Sequence, residues 1–305
     1  MSAGIVEQLS ALPGLQVRRD VPLAPFTSAR VGGPADILVT VRSADELAAV
    51  IRRLWDAGQP YLILGGGSNV LVSDAGVRGV TVLNRARAVR FEAGPQPRVI
   101  AEAGVTFSNL ANRCAPRGLA GLEWAAAVPG TLGGAVYGNA GAFGGDIAHS
   151  LIQAELLTAQ GRERWPVDRL GYGYRTSLLK RGGLQAVVLS AELSLRSATK
   201  EEVAAKIGEF SERRRATQPP GASMGSMFKN PPGDAAGRLI EAAGLKGARI
   251  GSAEVSPIHG NFFVNHGHSR AADIRALIAR VQEKVREHSG IELELEVELV
   301  GEWNA

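Results

Sequence analysis

One stretch of the chain, Gly121 to Asp146 (GLEWAAAVPGTLGGAVYGNAGAFGGD), constrains the fold more than any other. From Trp124 to Gly145 there is no charged side chain, and seven of those residues are glycine. A run that long and uncharged has the look of a membrane span. Gly130, Gly133, Gly134, Gly138 and Gly141 argue against one, because glycine favours turns over continuous helix. The Gly130/Gly134 and Gly134/Gly138 spacings match the small-xxx-small pattern of membrane helix pairs, but Pro129 and Asn139 are costly in lipid. The better reading is backbone packed closely against a large, flat ligand, with peptide N–H groups able to reach phosphate oxygens.

At 305 residues the chain has room for one large or two medium domains. A formal charge of +4 suits anionic small ligands, and no dense Lys/Arg stripe with interleaved aromatics points to nucleic acid. Cys114 is the single cysteine, which excludes intrachain disulfides and cysteine-based zinc sites. It shares helical spacing with Phe107, Leu110 and Ala111, so core packing is expected of it, and no metal site is expected anywhere. With no signal peptide, membrane helix or disulfide in view, a cytoplasmic protein is expected, a monomer or weak oligomer without membrane insertion.

Helix and strand patterns intermix, so the class is α/β or α+β. Residues 43–57 read as a helix with a Ser43/Glu46 capping box and Leu47, Val50, Ile51 and Leu54 on one face. Tyr61–Leu64, Gly79–Leu83, Arg98–Glu102, Leu151–Thr158, Ala186–Leu195 and Asn261–Asn265 read as strands. Phe107–Arg117, Ala235–Ala243 and Ser269–His288 read as helices, as does the segment after the Thr199/Glu202 capping box. Ile291–Val300 alternates Ile/Leu/Val with Glu292, Glu294, Glu296 and Glu298, the pattern of a half-buried strand. The expected division is a segment 1–20, a glycine-rich unit 21–196 and a smaller unit 197–305.

The common nucleotide fingerprints are absent. No G-x-x-x-x-G-K-[ST] occurs, and Val70 stands where the third glycine of G-x-G-x-x-G belongs. What remains is two glycine-rich loops, Gly65–Gly66–Gly67–Ser68–Asn69 and the run above, able to hold a pyrophosphate from two sides. Taken alone, GGGSN is also an ordinary turn.

Taken together, six motifs resemble one family in order: TSARVGGPAD (Thr27–Asp36), LGGGSNV (Leu64–Val70), VPGTLGGAVYGNAGAFG (Val128–Gly144), YRTS (Tyr174–Ser177), GSMFKNP (Gly225–Pro231) and HGNFFVN (His259–Asn265). The family is that of the UDP-N-acetylenolpyruvoylglucosamine reductases, flavoenzymes of bacterial peptidoglycan precursor synthesis. The resemblance implies an α+β fold, with a two-lobed FAD-binding domain of the vanillyl-alcohol-oxidase type followed by a smaller α+β substrate domain. It implies non-covalent FAD, held by Gly65, Gly66, Gly67, Ser68 and Asn69 on one side. Val128, Pro129, Gly130, Thr131, Gly133, Gly134 and Asn139 would hold it on the other. It implies NADPH as hydride donor and UDP-GlcNAc-enolpyruvate as the substrate reduced to UDP-N-acetylmuramate.

By the same resemblance Ser226 is the proton donor, Arg175 the catalytic arginine and Glu296 the C-terminal glutamate. The residues alone leave each open. A serine after glycine is commonly bonded to its own backbone, most arginines are solvated, and four glutamates share the face that carries Glu296. The family's LEPEV reads LELEV here, with Leu295 for proline. Tyr174, Lys229, Asn230 and Asn261 hold family positions near the nucleotide-sugar. Arg214, with Arg213 and Arg215, is a candidate for the diphosphate, although a basic helix end also suits the helix dipole. The short span from Arg175 to Ser226 resembles the subtype without a tyrosine-bearing lid. An alcohol or hydroxy-acid oxidase of the same fold is the rival reading. Many of those attach flavin to an N-terminal histidine, and this chain has none before His149.

Overall fold

The computed structural model describes residues 3–303. Alternating apolar residues build the first lobe from two sheets. A four-stranded sheet runs in the order Gln16–Pro22, Pro34–Val41, Val77–Asn84, Tyr61–Leu64. Its first pair is antiparallel and the other two are parallel. A five-stranded antiparallel sheet runs in the order Gly161–Pro166, Leu151–Thr158, Ala186–Ser194, Arg98–Glu102, Val89–Glu92. The helix Ala44–Asp56 lies between them, burying Leu47, Val50, Ile51 and Leu54. These pack with Val80 and Val82 of one sheet and Leu157, Val187 and Leu189 of the other. The expected capping box is half formed. Ser43 accepts from the Glu46 N–H, but the Glu46 carboxylate takes the N–H of Arg42.

The glycine-rich run is more ordered than its composition implies. It contains a helix, Leu132–Gly138, and a two-stranded hairpin, Gly141–Ala142 with Gly145–Asp146. Glycine is a poor helix former, so the helix depends on outside partners. The N–H groups of Leu132 and Gly133 donate to the carbonyls of Val105 and Ala103 at 2.9 and 2.8 Å. The hairpin tip is pinned by Phe143, which stacks on Phe210 with centroids 4.7 Å apart.

Phe210 belongs to the helix Lys200–Thr217, capped by Thr199 and Glu202 as expected. That helix buries Phe210 in the core of the first lobe, so the first lobe holds chain past the division expected at residue 197. The second core gathers the helices Ala236–Ala242 and Ala271–Ser289 over a small antiparallel sheet, Arg249–Ile250, Ala253–Val255 and Phe263–Asn265. It also takes in Ala29, Val31 and Leu71 from the first half of the chain. The two halves share a further sheet, where Val70–Val72 pairs in parallel with Glu298–Val300.

Two other elements depart from their sequence patterns. The helix from Phe107 ends at Asn112 and passes into a 3-10 turn over Ala115–Arg117. Only Glu298–Val300 of the alternating tail is strand. Upstream of it Leu293 and Val297 are buried as the alternation requires, but Leu299 is 36% exposed. Cys114 is buried, and burial pushes its thiol up to about 12, which suits core packing. Among the described residues no helix is long and apolar enough to cross a membrane.

Phe228 is fully buried and meets Phe263 edge-on at 6.1 Å. Phe228→Ala is expected to lower the unfolding free energy by about 3–5 kcal/mol through the cavity it leaves, read as an earlier denaturant midpoint.

Candidate active site

The loop Gly65–Asn69 leaves the strand Tyr61–Leu64 and runs directly into the second glycine-rich segment. A Cβ on Gly66 would lie 2.8 Å from the Gly130 Cα, and one on Gly65 would strike Thr131. Gly67 has φ +60 and faces the Phe26 carbonyl. These residues are glycine because backbone meets backbone there. The same packing leaves donors over. Among the described residues no acceptor takes a hydrogen bond from the backbone N–H of Gly66, Gly67, Ser68, Asn69, Gly130 or Thr131. Unpaired main-chain donors grouped in this way suit an anion such as a pyrophosphate. Val128 and Pro129 flank the group, and Gly134 opens outward with only the Thr131 hydroxyl near its Cβ position, at 3.8 Å.

Two expected cofactor contacts have their polar groups committed elsewhere. The Gly133 N–H is used by Ala103. Asn139 is buried, donates from Nδ2 to the Gly173 carbonyl at 2.9 Å and accepts the Ala148 N–H at 3.0 Å. Its amide ties the glycine-rich run to the loop that carries Arg175. Arg85, which has no motif to mark it, donates to the Gly65 carbonyl at 2.7 Å and braces the first loop.

Arg175 adopts φ +54, a left-handed backbone that an arginine rarely takes. A Cβ on Gly141 would come within 3.5 Å of its guanidinium, so the hairpin lies against the side chain. Its Nε stands 2.8 Å from Glu296 Oε1. That buried Nε lacks the alignment of a hydrogen bond, so charge rather than a directed bond holds the pair.

Glu296 is set by both halves of the chain. Its N–H donates to the Met227 carbonyl at 2.9 Å, and its carbonyl accepts from Asn69 Nδ2 at 3.0 Å. Burial pushes the carboxyl up from the ordinary carboxylate range, against the opposing pull of Arg175, Lys180 and Lys229. The four glutamates of the tail are therefore not equivalent. Glu292 and Glu294 are exposed, while Glu296 and Glu298 are half-buried.

Ser226 sits one residue before that Met227 carbonyl. Asn261, itself buried, holds the segment. Its carbonyl accepts the Met227 N–H at 2.8 Å, and its side-chain amide closes a pair of bonds with Phe228 at 2.9 and 2.8 Å. Both ends of that amide are thus spent on positioning. The Ser226 hydroxyl, by contrast, makes no hydrogen bond to any described residue. His259 accepts the Asn261 N–H at 3.2 Å, and burial lowers its pKa, as befits a structural role.

Beside this centre is a cleft of about 380 Å³ lined by Tyr174, Lys229 and Asn230 among others. Lys229 pairs with Glu294, and the Asn230 N–H approaches the Tyr174 hydroxyl at 3.4 Å. Tyr174 is 57% exposed, leaving its ring free to cover a ligand. Arg214 donates to the Ala127 carbonyl, beside Val128, while Arg213 lies over the Phe143 ring at 5.8 Å. The helix end thus grips the glycine-rich run. Among the described residues no cluster of His, Cys, Asp and Glu could hold a metal ion.

The arrangement combines a row of free N–H donors, a guanidinium–carboxyl pair, an unengaged hydroxyl and a cleft. Such a set can bind a phosphorylated cofactor, hold a carboxylate and deliver a proton. Comparison with known proteins agrees. Residues 35–165 match the FAD binding domain family, and residues 217–300 match the C-terminal domain of UDP-N-acetylenolpyruvoylglucosamine reductase. The chain is 46% identical to the UDP-N-acetylenolpyruvoylglucosamine reductase of Chloroflexus aggregans, over 94% of this chain and 98% of that one. It is 45% identical to that of Rubrobacter xylanophilus, over 93% and 95%. The crystal structure of the Thermus caldophilus enzyme superposes with a TM-score of 0.80 at 37% identity, over 94% of this chain and 99% of that one. The chain belongs to the UDP-N-acetylenolpyruvoylglucosamine reductase family.

Proposed function

We propose that this chain reduces UDP-GlcNAc-enolpyruvate to UDP-N-acetylmuramate, using FAD and NADPH, in the cytoplasm. The observation that carries the reading is the Arg175–Glu296 pair, which joins a mid-chain loop to the C-terminal tail, together with the free N–H donors of the two glycine-rich loops. Those donors, with Ser68 and Asn69, hold the FAD pyrophosphate. When bound and reduced by NADPH, FAD would supply the hydride for the vinyl carbon of the substrate.

The residues do the rest. The Arg175 guanidinium grips the enolpyruvyl carboxylate and stabilises the negative charge that builds beside it. The Ser226 hydroxyl, without a hydrogen-bond partner among the described residues, protonates the adjacent carbon. A neutral hydroxyl suffices because a carbanion-like centre is strongly basic, and it brings no further charge to the site. Glu296, pushed upward by burial, serves in its protonated form as a donor to the developing charge. Tyr174, Lys229 and Asn230 line the cleft that takes the nucleotide-sugar. Asn261 and Asn139 act through what they hold, the Ser226 segment and the Arg175 loop. Arg214 acts in the same way through Ala127.

Three outcomes test this reading. Ser226→Ala is expected to leave reduction by NADPH near wild type and to slow single-turnover reoxidation by the enolpyruvate substrate about 10²–10⁴-fold, the range for a lost general acid. Equal loss in both half-reactions, followed by stopped flow at the flavin absorbance, removes Ser226 from the role. The wild-type reoxidation rate should decline as pH rises through the Glu296 pKa, because the working form loses its proton there. Glu296→Gln, which cannot titrate, should lack that decline. Gly66→Ala, whose Cβ has no room against Gly130, should weaken FAD retention about tenfold, as roughly 1–3 kcal/mol of overpacking would. Fluorescence of released flavin reads it.

A further inference from the structure

Lys180 has no part in the mechanism above, yet it is only 16% exposed, uncommon for a lysine, and its Nζ lies 3.2 Å from Glu298 Oε1. Both partners are fixed at the backbone. The Lys180 N–H donates to Ser177 Oγ at 3.2 Å, and that hydroxyl donates to the Tyr137 carbonyl at 2.6 Å. Ser177 is fully buried, so the short helix Leu178–Arg181 is anchored to the glycine-rich run. On the other side the Glu298 N–H donates to the Asn69 carbonyl at 3.0 Å, and Glu298 is in register with Val70. The ion pair therefore spans from the second glycine-rich segment to the first. Glu298 lies two positions beyond Glu296 in the same tail, and its bridge repeats, one step along, the one that Arg175 makes.

We propose that Lys180 is a positioning residue for this site: through Glu298 it fixes the segment carrying Glu296 against the Arg175 loop. An exposed ion pair would contribute little, but here the lysine end is largely covered, Glu298 is 35% exposed, and both backbones are held by hydrogen bonds. The charges that face Glu296 are Arg175 from its loop, Lys180 from the short helix and Lys229 from the segment after Phe228. Lys229 is matched by Glu294 and Lys180 by Glu298. Tyr137, from the helix Leu132–Gly138, also feels Glu298, with its hydroxyl pushed up chiefly by burial. Among these groups Lys180 is the cation that no proposed substrate contact employs.

The inference rests on the reading of Glu296 above, and its test is chosen to stand apart from turnover. The Glu296 carboxyl carbon, labelled with ¹³C and assigned by its loss in Glu296→Gln, is titrated by NMR in the flavin-bound protein. Lys180→Met should move the titration midpoint upward, since a stabilising cation is gone. Lys180→Arg should return it close to wild type. Glu298→Gln, a second route that frees the ammonium, should move it downward. An unchanged midpoint in both Lys180→Met and Glu298→Gln, or a downward move in Lys180→Met, overturns the proposal. In single-turnover reoxidation the alkaline decline of Lys180→Met should shift to higher pH alongside the titration. If the wild-type protein does not turn over UDP-GlcNAc-enolpyruvate, the functional reading fails, while the carboxyl titration still decides the role of Lys180.

Discussion

The contact of Gly66 with Gly130 is the constraint on which the site depends. Two loops from different parts of the first lobe meet there, Gly66 against the Gly130 backbone, with the Thr131 and Ser68 side chains packed on Gly65 and Gly130. Among the described residues no acceptor takes the N–H groups of Gly66, Gly67, Ser68, Asn69, Gly130 or Thr131. Gly66 is exposed and Ser68, Asn69 and Gly130 are half-buried, so these donors are open to a ligand that supplies acceptors. Glycine at these positions is therefore required twice over. It allows the loops to touch, and it leaves the donors without a side chain of their own to cover them.

Around that contact the rest of the chain is arranged as props. Arg85 holds Gly65 from below, and Ser28 donates to the Gly67 carbonyl at 3.0 Å from its backbone. Asn69 reaches across to the strand of Glu296, while Asn139 reaches to the loop of Arg175. The parallel pairing of Val70–Val72 with Glu298–Val300 then fastens the C-terminal tail to the first loop. Neither half of the chain contains the site alone. Arg175 comes from one and Glu296 from the other, and both are placed by asparagines at the edges of the same two loops.

Much of this frame was legible in the sequence because it is local. Tyr61–Leu64 and Arg98–Glu102 are bounded by glycine or by charge and fall where the apolar runs place them. The Thr199/Glu202 cap is a short-range motif and forms as written. The helix Leu132–Gly138 was not legible, since its glycines disfavour helix and the carbonyls that receive its first N–H groups belong to Ala103 and Val105. Long-range partners likewise decided the roles of Asn139 and Asn261. An asparagine in a motif reads as a ligand contact, but each of these spends its amide on backbone far away in sequence. Glu296 could not be told from Glu292, Glu294 and Glu298 by alternation. Only the tail's docking on the Met227 segment and Asn69 separates it, by burying it beside Arg175.

Three local costs fall together at that point. Arg175 is held at a left-handed φ, its Nε lies close to a carboxylate without an aligned hydrogen bond, and Glu296 is buried enough that losing its proton is disfavoured. Each is unfavourable for folding alone, by the general expense of strained backbone and of buried charge. They persist because the surroundings over-determine them. Gly141 packs on the guanidinium, Asn139 fixes the loop and the Met227 carbonyl fixes the strand. A well-aligned Arg–Glu bridge would satisfy the protein and leave little for a substrate. A misaligned one leaves the Arg175 Nε without a protein acceptor, and the proposed grip of Arg175 on a substrate carboxylate draws on donors left unspent in this way.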